Sequence, residues 1–390
     1  MTYEFTIFGS GISAKLTSCL LARSGFKVCL ILDKDHDRDI SNSNLVTFLS
    51  AGSINYLTSI FSNMLFLNES PEIQTINCKL NSLTSNKFQT IKFNENDASF
   101  LGKIIKNTEL EKFLNEEASK FSNLNIIFSN QFQIVENTSN FVRLKLDNHK
   151  EIVSDLFILS STKKNITEQI EIDFTKKDLE QTALSISLKG KIRNKNCAFQ
   201  KFTSDGPLAL LPYSKNEASV VWSLKNNSNI LLKNKKDLSQ IVNKQLDEYV
   251  SLTTIASIEK HNLKFFYAKS LLYKNIVLLG NIAHNIHPIA GQGLNLSIKD
   301  IALFIKQVSK YKSLGYKVND QLALEEFNNK RKLDNVAYSF GTFSLDSILS
   351  SSNKLINYTT RKGIGFVERN KYLKHLFVRS ATGKDFFKSL

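Results

Sequence analysis

The chain has 390 residues, with 51 Lys plus Arg against 36 Asp plus Glu for a formal charge of +15, 42% hydrophobic residues, 15 Gly, 4 Pro and 4 Cys. An apolar fraction near the globular norm can offset the entropy of ordering the chain, which excludes disorder, collagen-like repeats and Pro/Gly-rich linkers, and the length suits two or three domains. Cys19, Cys29, Cys78 and Cys197 are scattered and form no C-x-x-C pair, which excludes a disulfide scaffold, suggests no metal site and points to a reducing, intracellular compartment.

Met1-Thr2-Tyr3-Glu4-Phe5 places an acid where a secretory signal carries a basic residue, so no signal peptide is expected. No run approaches the ~18 to 20 apolar residues of a membrane-spanning helix. A cytoplasmic protein is expected, and any membrane contact would be peripheral, on the inner face of the cytoplasmic membrane. The Lys residues are spread along the whole chain, which suits a solvated surface; the other reading is an anionic partner. No nucleic-acid-binding module is recognisable.

Glu4 to Phe8 reads as a short buried strand, followed by Gly9-Ser10-Gly11 and a helical pattern through Ile12, Leu16, Cys19, Leu20 and Leu21 that Ser24-Gly25 closes. Val28 to Leu32 is a second buried strand ending at Asp33, completing a βαβ unit. Helical spacing returns from Ser50 to Phe61, residues 71–100 alternate strand-like runs with polar turns, and Leu110, Phe113, Leu114 and Ala118 mark a helix reaching Phe121. Asn125 to Phe128, Phe141 to Leu146 and Asp155 to Leu159 read as strands, the last apolar after its Asp and therefore expected to be central and parallel. Period-two alternation from about Ala183 to Leu224 predicts an antiparallel sheet; a helix from Asp237 to Val250, a buried strand from Ile276 to Leu279 and a helix from Gly293 to Tyr311 follow, and residues 321–390 are mostly helical.

Parallel-sheet character at both ends of the chain, with an antiparallel stretch between, predicts an α/β fold. A discontinuous Rossmann-like cofactor domain (1–72, 101–168 and 262–345) would hold an inserted antiparallel-sheet substrate domain (73–100 and 169–261), followed by a C-terminal helical tail (346–390).

Gly9-Ser10-Gly11-Ile12-Ser13-Ala14 is the G-x-G-x-x-A variant of the dinucleotide fingerprint. Gly9 permits the tight turn, Gly11 lets backbone N–H groups approach a pyrophosphate, and Ala14 allows close helix–strand contact. Asp33, 22 residues beyond Gly11, is in register to accept hydrogen bonds from adenosine ribose hydroxyls; the plainer reading makes it a turn former. A second constellation runs Val277-Leu278-Leu279-Gly280-Asn281-Ile282-Ala283-His284-Asn285-Ile286-His287-Pro288-Ile289-Ala290-Gly291-Gln292-Gly293-Leu294-Asn295-Leu296. It is a buried strand leading through a turn to a helix N-terminus, a site built to present N–H groups to an anion or a carbonyl.

This second run resembles the flavin-binding signature of the aromatic-ring-hydroxylating flavoprotein monooxygenases, and is most similar to that of the ubiquinone-biosynthesis hydroxylases. Lys106-Asn107-Thr108-Glu109-Leu110, Phe199 to Pro212, Lys330 to Asn335 and Phe377 to Gly383 resemble further segments of that family in the same order. The resemblance implies FAD as cofactor, with Gly9, Gly11, Ala14, Asp33, Asn107, Gly280, Asn281, Pro288, Gly291, Gln292, Gly293, Leu294 and Asn295 in its binding. Asn281 takes the place of an Asp at the ribityl chain, Pro288 sits by the reactive flavin edge, and the N–H groups of Gly293 and Leu294 face the N1/C2-carbonyl end. No catalytic residue is fixed: His287 stands either for packing or for direct participation, and His284 for structure. The implied activity is hydroxylation of a polyprenylated phenol, with NAD(P)H as reductant and O2 as co-substrate, through a C4a-hydroperoxyflavin.

Partners implied are the prenylated phenol, other quinone-biosynthesis proteins and a membrane surface, the last through Phe366, Tyr372, Leu373, Leu376 and Phe377, unless that stretch is an ordinary helix docked on the domain. Two positions depart from the family: no acid stands near Ser161-Thr162, where a short Asp-Gly motif is usual, and Leu45 occupies the neighbourhood of an Arg. These departures leave a second reading, a catalytically weak or inactive subunit of a quinone-biosynthesis complex. A third, an isoprenoid-chain reductase sharing the fold, fits the signature less closely.

Overall fold

The computed structural model describes residues 1–33, 43–80, 89–94, 100–285, 291–349 and 369–390. Five strands form the parallel part of the first sheet, in the order Ile276–Leu278, Glu151–Leu159, Thr2–Phe8, Val28–Leu32 and Leu124–Phe128. Phe157 is opposite Thr6 on one side and Ile276 on the other, so the apolar run of its strand is central and parallel, as expected. Every residue of Val28–Leu32 is buried, and each full burial of an aliphatic side chain contributes on the order of 1.5–3 kcal/mol. The Ile12–Arg23 helix is buried along most of its length, ends on Ser24, and is followed by Gly25 at φ +82°.

The second sheet has eight strands, in the order His284–Asn285, Val250–Ala268, Phe174–Ile192, Glu217–Lys225, Gly206–Pro212, Cys197–Thr203, Thr75–Leu80 and Gln89–Asn94. All neighbours are antiparallel except Cys197–Thr203 and Thr75–Leu80. One face places Leu184, Ile186, Phe199, Leu210 and Trp222 against Leu238 and Val242 of the Lys235–Gln245 helix. Its other face meets a three-stranded sheet of Val46–Ser50, Gly102–Lys106 and Glu72–Ile73 through Phe48, Ile104, Ala198 and Tyr213. The small sheet thus joins the two bodies.

The Val250–Ala268 strand has no counterpart in the sequence reading. Its polar residues obscure a period of two, and it forms by pairing with Phe174–Ile192 as far as Ala268 opposite Phe174. That pairing carries the second sheet beyond residue 261, where the sequence reading ended the substrate domain.

The described part of the tail comprises the end of the Gln321–Leu349 helix, Lys371–Thr382 and Lys384–Lys388. The end of the chain is held on the first body: an ideal Cβ on Gly52 would lie 2.6 Å from the Thr382 carbonyl oxygen, and the Tyr56 ring stacks on Phe387 at 5.0 Å. Tyr372 is exposed and Val378 buried, whereas Phe366 lies outside the described residues. Among the described residues no helix is long and apolar enough to cross a membrane, and no group of three His, Cys, Asp or Glu could hold a metal ion.

Candidate active site

The fingerprint turn, the Val46–Ser50 strand, the start of the Asn107–Ala118 helix and the two ends of the Gly-rich run converge on one cleft of about 540 Å³, lined by Gly11, Ser13, Thr47, Asn107, Asn281 and Leu294 among others. The tightness of the turn is real. Gly9 has φ +149°, and a Cβ there would sit 2.7 Å from the Ser160 carbonyl oxygen and 3.2 Å from Ala14 Cβ. Gly280, at φ +84°, would place a Cβ 2.7 Å from that of Ser13, so the second run touches the fingerprint helix directly. A Cβ on Gly11, by contrast, meets nothing within 4 Å; its backbone faces open cleft.

Two helices point their N-termini into this cleft. Their N-caps, Gly11 and Gln292, make no side-chain capping bond among the described residues, and neither helix carries an acid in its first turn. Elsewhere the ordinary device is present: Ser50 accepts from the Ser53 N–H and Asn234 from the Asp237 N–H. N–H groups left without a cap, at the positive end of a helix dipole, suit an anion or a polarised carbonyl. Residues of this kind fit a dinucleotide with a pyrophosphate at one end and a carbonyl-bearing ring system at the other.

The polar side chains divide into those facing the cleft and those building it. Asp33 is buried at the end of its strand; its N–H donates to Ser10 Oγ at 2.7 Å, and its carboxylate is paired with Lys163. Thr47 Oγ1 donates to Asn107 Oδ1 at 2.6 Å, and the Asn107 N–H to the Leu45 carbonyl at 3.0 Å, which fixes the cleft wall. Asn295 works from behind. Its Oδ1 accepts from the Ser50 N–H at 2.8 Å and its Nδ2 donates to the Phe48 carbonyl at 2.7 Å, clamping the Val46–Ser50 strand to the Gly293–Ser313 helix. Gly291, at φ +60°, lies against Phe48. Gln292 is buried at the helix start and Gly293 is its first residue. His287 and Pro288 lie outside the described residues.

Sequence reasoning missed several contributors. Glu111 lines the cleft and is ion-paired with buried Lys15 at 3.3 Å. From the second sheet, Glu259 and His261 reach the cleft mouth; Glu259 Oε1 accepts from the Asn44 N–H at 2.8 Å. Their spacing of two along one strand was the only available signal. Lys163 follows Ser161-Thr162, where the resemblance implied an acid, so a cation stands there instead; Leu45 lines the cleft where an Arg was implied.

Beneath the second run lies a buried polar network. His284 Nε2 is 2.6 Å from Asp300 Oδ2, Arg331 Nε donates to Asp300 Oδ1 at 2.5 Å, and Asn335 Nδ2 donates to both oxygens at 3.3 Å. Burial alone would raise the Asp300 pKa, but Arg331 and His284 outweigh it and hold the carboxyl below the usual range. The network ties the Gly293–Ser313 helix, whose N-terminus faces the cleft, to the Gln321–Leu349 helix.

A family model described as FAD binding domain matches residues 2–311. The chain belongs to the FAD binding domain family. FAD is accordingly its cofactor. The chain is similar to the ubiquinone hydroxylase UbiL of Rhodospirillum rubrum, 27% identical over 52% of this chain and 48% of that protein, so it aligns with about half of that relative's length. It is also similar to the 3-demethoxyubiquinol 3-hydroxylase of Escherichia coli, 22% identical over 97% of this chain and 98% of that one. In fold it matches the p-nitrophenol 4-monooxygenase of Pseudomonas putida with a TM-score of 0.78, at 10% identity, over 98% and 99% of the two chains.

Proposed function

We propose that the protein is an FAD-dependent monooxygenase that hydroxylates the aromatic ring of a polyprenylated phenol in ubiquinone biosynthesis, with NADH or NADPH as reductant. The observation that carries this reading is the convergence of two uncapped helix N-termini on one cleft beside a wall of antiparallel sheet. The names of the two relatives supply the substrate class.

The residues of this cleft would hold FAD, and the chemistry it would supply there is to take up electrons from the reductant and, with dioxygen, to provide the oxygen atom given to the ring. The chain's own groups orient it. The Gly11 end of the first helix would receive the pyrophosphate, and Asp33 the adenosine ribose. Asn107 and Asn281 line the path between, and an amide at Asn281 can hydrogen-bond a hydroxyl without charge assistance. The N–H groups of Gly293 and Leu294 would stabilise negative charge at the pyrimidine end of the ring system. The second sheet forms the other side through Glu259 and His261 and would shield the reacting edge from water.

A second reading, a subunit of a quinone-biosynthesis complex that binds FAD without turnover, is favoured by one observation: Lys163 stands on Asp33 close to where the family resemblance implies an acid. Contact with such partners, or with a membrane surface, would draw on the net charge of +15. The test is to incubate the FAD-loaded protein with NADH or NADPH, isotopically labelled dioxygen and 2-prenylphenol. A hydroxylated product carrying one labelled oxygen is expected. Bound FAD with no labelled product from either donor would overturn the hydroxylase reading in favour of the second.

A further inference from the structure

The face of the second sheet that looks toward Gly291 is unlike its opposite face. Its rows can be read from the strand register: Gln200, Ala209, Val221 and Ser185 stand side by side across four strands, and Ala198, Leu211, Ser219 and Ser187 form the next row. The reverse face of the same strands carries Phe199, Leu210, Val220 and Trp222. Small side chains on one side leave a narrow, mostly apolar pocket bounded by Phe48, Gly291, Ile76, Ala198, Gln200 and Leu211.

Among the described residues, Gln200 is the one side chain with an amide in that lining. The residue is 7% exposed, among the described residues its side chain makes no hydrogen bond, and its amide atoms keep accessible surface on the pocket rather than being sealed in the core. An amide held with its donors and acceptor uncommitted on the wall of an apolar pocket is satisfied by water when the pocket is open and needs a polar partner once an apolar ligand displaces that water. A short distance along the same face, Ser219 Oγ is buried without a partner among the described residues. Alanine or leucine at position 200 would complete an apolar wall, so an amide in this place suits a polar partner inside the pocket.

We propose that Gln200 is the substrate-positioning residue: its side-chain amide hydrogen-bonds the phenolic oxygen of the ring, and thereby sets which ring carbon is presented at the Gly291 end of the pocket. The proposal rests on the phenol hydroxylase reading and sharpens it. The apolar floor of Ala209, Leu211 and Val221 accepts the ring face, and the amide supplies a polar anchor that fixes its rotation, the arrangement expected of a site that orients a mostly apolar ligand. Gln200 does no proton transfer here; it positions.

The experiment measures binding to the FAD-loaded full chain, by calorimetry, of 2-prenylphenol and of its methyl ether, for wild type and for Gln200→Leu. Wild type should prefer the phenol by about tenfold or more, the size of one hydrogen bond to a buried group. In Gln200→Leu that preference should fall to near one, through loss of phenol affinity, while FAD affinity stays within twofold. Turnover, where present, should give a mixture of hydroxylation positions. Gln200→Met, which keeps the length of the side chain, carries the same test if the leucine variant does not fold. A preference that persists in a folded, FAD-bound variant would overturn the role of Gln200 alone. A wild type that binds FAD but neither aromatic ligand would overturn the phenol reading and this proposal together.

Discussion

Arg331 and Asp300 form a fully buried ion pair that no solvent screens, and the pair is where a single substitution should be felt most. Arg331→Met removes the guanidinium and leaves the Asp300 carboxylate with His284 and Asn335 as partners. Asp300→Asn leaves the guanidinium buried, with Asp334 at 2.7 Å and Asn335 at 2.9 Å. Removing one partner of a buried pair costs about 3–5 kcal/mol, because the other charge stays desolvated. Removing both should cost less than the sum of the two single changes, with a coupling of at least about 1 kcal/mol. Urea unfolding of the four proteins, followed by both far-UV circular dichroism and FAD release, measures the cycle. The pH dependence has a fixed sign. Asp300 is held below the usual carboxylate range, so its contribution is present above the unfolded value of about 3.9 and disappears as pH falls through the lower folded value. Asp300→Asn should therefore flatten the acid limb of the stability profile. Single variants within about 1 kcal/mol of wild type, or strict additivity, would refute the view that this network holds the cleft-facing helix to the rest of the fold.

Other consequences follow from particular contacts. Gly9→Ala should weaken FAD binding at least tenfold, since positive-φ strain of order 1–3 kcal/mol adds to a Cβ placed 2.7 Å from a carbonyl oxygen; quenching of FAD fluorescence reads this, and an unchanged affinity would contradict it. Gly52→Ala drives a Cβ into the Thr382–Gly383 backbone at 2.6–2.7 Å, so limited proteolysis should begin cutting within residues 369–390 while the remaining body resists; an unaltered digest would show that the contact yields freely. Lys163→Met removes the cation from Asp33, whose side chain is 8% exposed against 40% for Lys163. A pair with one solvated partner is worth about 0.2–1 kcal/mol, so FAD should bind up to about fivefold more tightly, and weaker binding would instead make Lys163 a cofactor contact.

Much of the nucleotide-binding body was legible because its signals are local. Gly9 and Ala14 stand where a turn and a helix–strand contact require small residues, Gly11 faces the open cleft, and the apolar run before Ser160 is what a strand paired on both sides must carry. Less of the second body was legible. Val250–Ala268 is a strand because Phe174–Ile192 lies beside it, and its polar residues reflect one face turned to the cleft mouth. Glu259, His261 and Lys163 reach the site from segments far apart in sequence, a juxtaposition no local pattern contains. Asn295 was read as a cofactor residue from its motif, yet its amide is bonded to the backbone at Phe48 and Ser50; motif membership does not distinguish a contact from its support. The tail helix could not be assigned to membrane or domain by amphipathicity, since either surface selects the same pattern. Gly52 and Tyr56, which hold the chain end, lie more than 300 residues earlier.

The central claim is best tested by the absorbance spectrum of the FAD-loaded protein, recorded before and after anaerobic addition of NADH or NADPH with 2-prenylphenol present. Flavin bands near ~370 and ~450 nm that bleach on addition of the donor, and return when oxygen is admitted as the ring is hydroxylated, are the predicted result. A protein that binds no flavin under these conditions, or one whose bound flavin is reduced yet returns without any hydroxylated ring, would contradict it.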